Sequence, residues 1–460
     1  MLQLDPQAAS SLTSQIVQQL SAKIERGLLA EGSRLPSVRG LAEACAVSPF
    51  TVAEAYNRLV AGGWIAAQRA RGYFVSRRPL AAAPQVARAP VDEAWLLRRV
   101  YEDTQLELQA GGGWLPHDWL YEDGLRTALR NLAKAPGELL TRYGHPQGLP
   151  ALRQHLQWQL ALRGIEAPAE RIVLTQGASQ GLDLVLRLLV KPGDTVLVDS
   201  PGYSNLISAL LGHGARVLGV ARTPQGPDVA QLAQLAQQHR PVAFFTNSAL
   251  HNPTGTSTSA HTAHQLLKLA DQYDFQVVED DPFAELQLGH AVSLAALDGL
   301  QRVSYLGSYS KSISPALRVG YLVGNEALVA RASRLKMAAG LTSSEIMEAA
   351  TLAMLTDGHH RSHLDRLRER LQEAQARVCR RLGELGWRVF HQPQGGLFLW
   401  AEAPTAVDAS NLTERAAAAG IALAPGRFYL PEPQPCRHFR FNAAWADHSR
   451  LYGWLAAQGH

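Results

Sequence analysis

Lys311 lies in the run Gly307-Ser308-Tyr309-Ser310-Lys311-Ser312-Ile313-Ser314-Pro315-Ala316-Leu317-Arg318-Val319-Gly320-Tyr321. Its amine is framed by small hydroxyl side chains, and an arginine follows seven positions on. An amine condenses with an aldehyde, and hydroxyls together with a guanidinium hold a phosphate. The run therefore suits covalent capture of an aldehyde that carries a phosphate. A solvated lysine in a polar loop is the plain alternative for such a residue taken alone. Four other segments weigh against it.

Gln276-Val277-Val278-Glu279-Asp280-Asp281 reads as a short apolar strand ending in carboxylates, with Asp280 31 positions before the lysine. Acids at a strand end are otherwise often just solvated. His251-Asn252-Pro253-Thr254-Gly255 follows an apolar strand at 242–246 and is a turn by composition. Residues 171–182 read as a strand, a Gly-bounded loop and an apolar helix. Backbone N–H groups at such a helix start bind phosphate without a cation. This loop has neither the nucleoside-triphosphate nor the dinucleotide fingerprint. Asp199-Ser200-Pro201-Gly202-Tyr203 closes a strand at 195–198 with an aromatic residue. Farther on, Phe439-Arg440-Phe441-Asn442 alternates like a half-buried strand. An arginine there suits bidentate capture of a carboxylate, with a plain surface arginine as the alternative.

Ser-x-Ser-Lys followed by Arg-x-Gly-Tyr, with Asn-Pro-Thr-Gly upstream, resembles the pyridoxal-phosphate aminotransferases of the aspartate aminotransferase superfamily. The resemblance implies that Lys311 carries pyridoxal 5'-phosphate as an internal aldimine. Asp280 would sit on the pyridine nitrogen, with Asp281 its competitor, Asn252 on the phenolic oxygen, and Tyr203 against the ring face. Ala178, Ser179, Ser308, Ser310 and Arg318 would surround the phosphate, Ala178 through its backbone alone. Arg440 would take a substrate carboxylate. Tyr143, in Arg142-Tyr143-Gly144-His145-Pro146-Gln147-Gly148, matches the tyrosine that reaches the partner's phosphate in a homodimer. There is one departure. Relatives carry a tyrosine three positions after the pyridine aspartate, where this chain has Phe283. The missing hydroxyl alters the proton affinity of the Schiff base and bears against efficient transamination.

The other end of the chain has a different character. Residues 13–26 carry Ile16, Val17, Leu20 and Ile24 at helical spacing. Pro36-Ser37 is a start signal for a second helix. Cys45-Ala46-Val47-Ser48 makes a turn, and Ser48 caps a third helix over 49–61. Residues 66–75 read as a two-stranded wing with Arg69, Arg71 and Gly72 at its tip. Leu-Pro-Ser-Val-Arg, then Val-Ser, then Thr-Val-x-x-Ala-Tyr-x-x-Leu, resembles the winged helix-turn-helix of the GntR family. That implies a third helix entering the major groove by its N-terminal end, with Arg34 and Arg39 on the phosphate backbone. Pro49 and Phe50 replace the basic and polar residues usual there. Base readout is then expected from Ser48, Thr51 and the wing, with Phe50 against a thymine methyl. A three-helix module that binds no DNA is the alternative. Residues 1–78 hold nine Lys and Arg against five Asp and Glu, a net +4 that equals the excess of the whole chain.

Between the two ends, residues 77–90 are Ala, Pro and Arg without apolar periodicity, which is linker composition. The expected organisation is a DNA-binding domain at 1–78, a linker at 79–95 and an effector domain at 96–460. With 460 residues, 46% of them hydrophobic, the chain can bury more than one core. No 18-residue apolar stretch and no N-terminal signal pattern appear, so a soluble cytoplasmic protein is expected. Cys45, Cys379 and Cys436 lack metal-ligand spacing. His359, His360 and His363 read as a solvated helix face, and no metal is expected.

A GntR-type reader joined to an aminotransferase-like domain resembles the MocR family of bacterial transcription regulators. The implied fold is multidomain: an α+β winged helix-turn-helix plus an α/β fold-type I domain with a mostly parallel central sheet. The implied partners are operator DNA and an amine, amino acid or B6 vitamer effector. A working aminotransferase that carries a DNA-binding domain is the second reading. A binding module with a purely structural cofactor is the third.

Overall fold

The computed structural model describes residues 2–6, 8, 10–68, 71–76, 106–289, 292–432 and 434–459. The chain divides into two compact units, Met1–Ala89 and Pro90–His460. The expected linker at 79–95 and Arg69 lie outside the described residues.

In the first unit, helices α1 (Leu12–Glu25), α2 (Val38–Cys45) and α3 (Pro49–Ala61) precede a hairpin of β1 (Ile65–Gln68) and β2 (Gly72–Val75). Each helix begins on a serine. Ser11, Ser37 and Ser48 accept from the backbone N–H of Ser14, Gly40 and Thr51; such a cap is worth about 1 kcal/mol. Pro49 occupies the first turn of α3, where its missing N–H removes no helical bond. Ile16, Leu20, Leu41, Val52, Ala55, Tyr56 and Leu59 meet in one core, so the spacing of the apolar residues sets how the three helices pack.

The second unit holds an eight-stranded sheet of β3 (Ile172–Thr175), β4 (Thr195–Ser200), β5 (Arg216–Thr223), β6 (Gly226–Pro227), β7 (Ala243–Thr246), β8 (Gln276–Asp281), β9 (Val303–Ser308) and β10 (Gly320–Val323). Their order is β3-β10-β9-β8-β7-β4-β5-β6. The β5, β4, β7, β8 and β9 neighbours pair in parallel, whereas β10 runs antiparallel to β3 and β9. These strands are near-continuous apolar runs because helices cover both sheet faces. A smaller antiparallel sheet of β11 (Arg388–Val389), β12 (Phe398–Glu402), β13 (Ala424–Pro425) and β14 (His438–Asn442) has the order β11-β12-β14-β13. The long helix His360–Glu384 serves both parts. Its Leu367 and Leu371 pack with Phe283, and its Val378 and Leu382 pack with Leu399 and Phe439 of the small sheet. Among the described residues no helix is long and apolar enough to cross a membrane.

Candidate functional site

In a parallel sheet the carboxyl ends of the strands form the binding edge. Here β4 ends at Asp199-Ser200, β7 runs into Asn247, β8 ends at Asp280-Asp281, and β9 runs into the Lys311 loop. Strand pleating sends neighbouring side chains to opposite faces, and this separates the two aspartates. Asp281 accepts from Arg163 at 2.6 Å and from the Tyr305 hydroxyl at 3.0 Å. Asp280 faces the other way and lines a pocket with Tyr203, Asn247, Thr246 and Asp199. Its Oδ2 accepts from Asn247 Nδ2 at 3.1 Å, while its buried Oδ1 has no hydrogen-bond partner. Burial pushes Asp280 up to about 7, with the Asn247 hydrogen bond the largest opposing influence.

Lys311 is half-buried, and its amine donates to the Gly113 carbonyl at 2.6 Å. Burial lowers it to about 8, helped by the Arg440 and Arg318 guanidinium groups and opposed by Asp280. An amine depressed this far offers a neutral nucleophile at mildly alkaline pH.

Gly177, at φ 76°, precedes the helix Ala178–Leu189, whose start has no side-chain cap. The Arg318 guanidinium lies against this glycine. Arg318 Nη2 donates to the Gln176 carbonyl at 3.1 Å, and a Cβ on Gly177 would come within 2.7 Å of that nitrogen. Gly320 packs on the Gly177-Ala178 peptide just as closely, which draws β10 and the helix start together. Ser308 and Ser310 are buried beside one another, with hydroxyls 3.0 Å apart. Ser179 is exposed at the helix start. Helix-start N–H groups and one guanidinium are thus brought together, a combination that suits an anion.

Arg440 lies over the faces of Phe398 and Tyr429, 4.4 and 5.1 Å from their centroids. It donates to Asn252 Oδ1 at 2.8 Å and to the Gly111 carbonyl at 2.7 Å. Asn252 thus gives its oxygen to Arg440 and keeps its amide N–H groups for another acceptor. Phe283 is buried among Leu115, Leu250, Leu286, Leu367 and Leu371. Tyr143 is 80% exposed. The histidines do not form the solvated face expected: His359 is exposed, but His360 is buried 4.0 Å from Glu285, and half-buried His363 meets the Ser312 carbonyl at 3.2 Å. Among the described residues no group of three or more His, Cys, Asp or Glu is arranged to hold a metal ion.

Residues 120–451 match the family model for aminotransferase class I and II, and residues 12–75 match that for bacterial regulatory proteins of the gntR family. The uncharacterized HTH-type transcriptional regulator YdcR of Escherichia coli is 31% identical over 94% of this chain and 94% of its own. The probable rhizopine catabolism regulatory protein MocR of Rhizobium meliloti is 27% identical over 94% of this chain and 90% of its own. The chain belongs to this family of two-part regulators. The kynurenine aminotransferase structure from Pyrococcus horikoshii superposes with a TM-score of 0.73 at 24% identity, over 81% of this chain and 94% of that one. That likeness shows the fold of the larger unit.

The unit that matches the gntR family model is three helices followed by a two-stranded hairpin. Arg34 and Arg39 are exposed, and Phe50 at the start of α3 is 80% exposed. Ser48 and Thr51 are tied to each other. The Ser48 hydroxyl accepts from Thr51 N–H at 3.1 Å and lies 2.8 Å from the Thr51 hydroxyl. Both side chains therefore hold the helix start. At the wing, the Arg34 side chain lies across Gly72, whose φ of 105° disfavours any other residue. Arg71 stacks near Phe74, 5.8 Å from its centroid.

Sequence reasoning missed two parts of the larger unit. One is the segment Gly111-Gly112-Gly113-Trp114, whose carbonyls receive Arg440, Asn442 and Lys311. Its only signal was three consecutive glycines. The other is Asn247, which carried no signal at all.

Proposed function

We propose that this protein is a transcription regulator that holds pyridoxal 5'-phosphate on Lys311, captures an amine, amino acid or B6 vitamer there, and alters its hold on operator DNA in response. The observation that carries this reading is the unpartnered, buried Oδ1 of Asp280 on the wall of the pocket near the depressed amine of Lys311. A buried carboxylate oxygen without a donor is costly, and a ring nitrogen bearing a proton satisfies it. The residues fit the group. Bound there, pyridoxal 5'-phosphate supplies an aldehyde for covalent capture of amines and an electron-withdrawing ring.

Each residue then has a physical role. Asp280 holds the proton of the ring nitrogen, and Tyr203 covers a ring face. Asn252 donates its free N–H groups to the phenolic oxygen. Ala178 and Ser179 present helix-start N–H groups to the phosphate, with Ser308, Ser310 and the Arg318 charge beside them. Arg440 binds a carboxylate on the captured molecule. A homodimer completes the site. Leu140, Tyr143, Met337 and Leu341 expose apolar surface on two segments joined by the Arg142–Glu345 ion pair at 2.6 Å, and Tyr143 reaches the partner's phosphate. The domain limits proposed are 1–78, 79–95 and 96–460, with Arg34, Arg39, Phe50, Arg69, Arg71 and Gly72 at the DNA. Ser48 and Thr51 act there by fixing the start of α3.

The intact lysine, aspartate and arginine set also supports a second reading, a working aminotransferase carrying a DNA-binding domain. Absorbance of the cofactor-loaded protein, borohydride reduction followed by peptide mapping, and operator binding with and without amines test the proposal. Reducible label on Lys311 and an amine-dependent change in operator affinity are expected. Undiminished label in Lys311→Ala, or operator affinity indifferent to cofactor and amines alike, would overturn it.

A further inference from the structure

Asn247 follows β7 directly, and no part of the Asn-Pro-Thr-Gly signature includes it. Its Nδ2 donates to Asp280 Oδ2 at 3.1 Å and also to the Asp280 backbone carbonyl. One amide thus grips both the side chain and the main chain of the same residue. That grip fixes which carboxylate oxygen is engaged inside the protein and leaves Oδ1, buried and without a donor, for the pocket.

Asn247 is itself held from behind. Its backbone N–H donates to Asp199 Oδ2 at 3.2 Å, and the Thr246 hydroxyl donates to the same oxygen at 2.8 Å. Asp199 Oδ1 accepts from Arg222 Nη1 at 3.1 Å. The Arg222 side chain has no solvent exposure and also donates to the hydroxyls of Thr256 and Thr258. His251, next to Asn252, places Nε2 3.3 Å from Asp199 Oδ2. Burying an ion pair this completely is unfavourable unless its hydrogen bonds are well made. Asp199 and Arg222 make them, and in doing so they pin the segment that carries Asn247.

We propose that Asn247 is a positioning residue for Asp280, with the Asp199–Arg222 pair fixing Asn247 in turn. It orients the free carboxylate oxygen toward the ring nitrogen and favours the charged form of Asp280. The inference rests on the pyridoxal-phosphate reading above and assigns a role that reading does not contain. Asp281 and Lys311 are the other charged groups that bear on Asp280, the first disfavouring and the second favouring its charged form. The Asn247 hydrogen bond opposes the burial that pushes Asp280 upward more than Lys311 does. Without it, burial would act on Asp280 less opposed, and a carboxyl that keeps its proton cannot balance the charge of a protonated ring nitrogen.

The test compares full-length protein with Asn247→Leu and Asn247→Ala, the second adding no bulk. Each is titrated with pyridoxal 5'-phosphate and with its carbocyclic analogue, in which C–H replaces the ring nitrogen. Dissociation constants come from absorbance, and circular dichroism reports the fold. Loss of a hydrogen bond to a charged group should weaken pyridoxal 5'-phosphate binding about 10- to 100-fold, and the analogue by less than about threefold. Equal losses for the two ligands would mean that Asn247 shapes the pocket and does not act through Asp280. No loss for either, or unfolding of both variants, would also overturn the inference. If the unaltered protein binds neither compound, the pyridoxal-phosphate reading itself fails. That result cannot be confused with a failure confined to the variants.

Discussion

Phe283 meets Phe398 edge to face, with ring centroids 5.4 Å apart and planes at 86°. The Arg440 guanidinium lies over the same Phe398 ring, 4.4 Å from its centroid. The residue that lacks a hydroxyl therefore supports the ring on which Arg440 lies, inside an otherwise apolar cluster. A tyrosine there must aim its hydroxyl at the cofactor's phenolic oxygen or leave it buried without a partner, at a cost of about 1–3 kcal/mol. Donation to that oxygen stabilises the charge it carries once the Schiff-base nitrogen has lost its proton. Phe283→Tyr should thus lower the pH midpoint of the cofactor's absorbance change by about one unit, the equivalent of about 1.4 kcal/mol. An unmoved midpoint in a destabilised protein would show that position 283 does not address the cofactor.

Asp280 and Lys311 make opposite demands on pH. The folded chain raises Asp280 from 3.8 to about 7, so between those values it binds more protons than the unfolded chain, and stability from this group falls as pH rises. It lowers Lys311 from 10.5 to about 8, so across that window stability from the amine rises with pH. At pH 8 the cofactor-free protein bears the full penalty of a charged Asp280. Asp280→Asn should therefore raise its stability by about 1–2 kcal/mol at pH 8 and by much less at pH 5, while weakening pyridoxal 5'-phosphate binding. Thermal melts at the two pH values decide it, and an equal gain at both would refute the charge argument.

Operator binding should follow the basic excess of residues 1–78. Arg34→Ala and Arg39→Ala should each weaken binding to all sequences alike and reduce the slope of log K against log salt by about 0.9. Gly72→Ala should also weaken binding, because the wing backbone at φ 105° is strained for any residue with a Cβ, while the added methyl meets the Arg34 side chain only at ordinary contact distance, 3.4 Å. A change in base preference in place of a uniform loss would make Arg34 a reader of sequence. A chain lacking residues 1–78 that still binds operator would remove the assignment altogether.

The parts that were legible in the sequence are those written in local chemistry. Ser48 before Pro49 marked the start of α3 to the residue, because a cap and a first-turn proline act within one turn. The Lys311 run and the aspartates at the end of β8 were visible because strand ends and hydroxyl-rich loops have distinctive composition. The resemblance pointed to Asp280 over Asp281, but the physical difference between them is a property of the fold: Asp280 lines the pocket, whereas Asp281 pairs with Arg163. Ser48 and Thr51, expected at the bases, also have a local task that spacing did not show, since their hydroxyls meet at the helix start. The Gly111 carbonyl that meets Arg440 is 329 positions away along the chain, a distance over which residue spacing carries no signal. Asn247 escaped notice because an asparagine at a strand end is ordinary until its neighbours are known.

Arg440 should decide what kind of molecule the regulator answers to. Its two terminal nitrogens are engaged by Asn252 and by the Gly111 carbonyl, both neutral acceptors. A carboxylate, being charged and bidentate, competes with both, whereas an amine without a carboxylate leaves them undisturbed. A ligand shifts a conformational balance only by its difference in affinity for the two states. An α-amino acid, which engages Lys311 and Arg440 together, should therefore change operator affinity more than a simple amine such as ethylamine, with a coupling of about 5- to 150-fold. Arg440→Gln should bring the amino acid down to the level of the amine without abolishing covalent capture of either. Product formation with an amino donor and a keto acid is followed in the same samples, since a regulator needs a persistent signal and slow turnover. Turnover on the order of 10 per second with unchanged operator affinity would decide for the enzyme, and an undiminished amino-acid response in Arg440→Gln would place the carboxylate elsewhere.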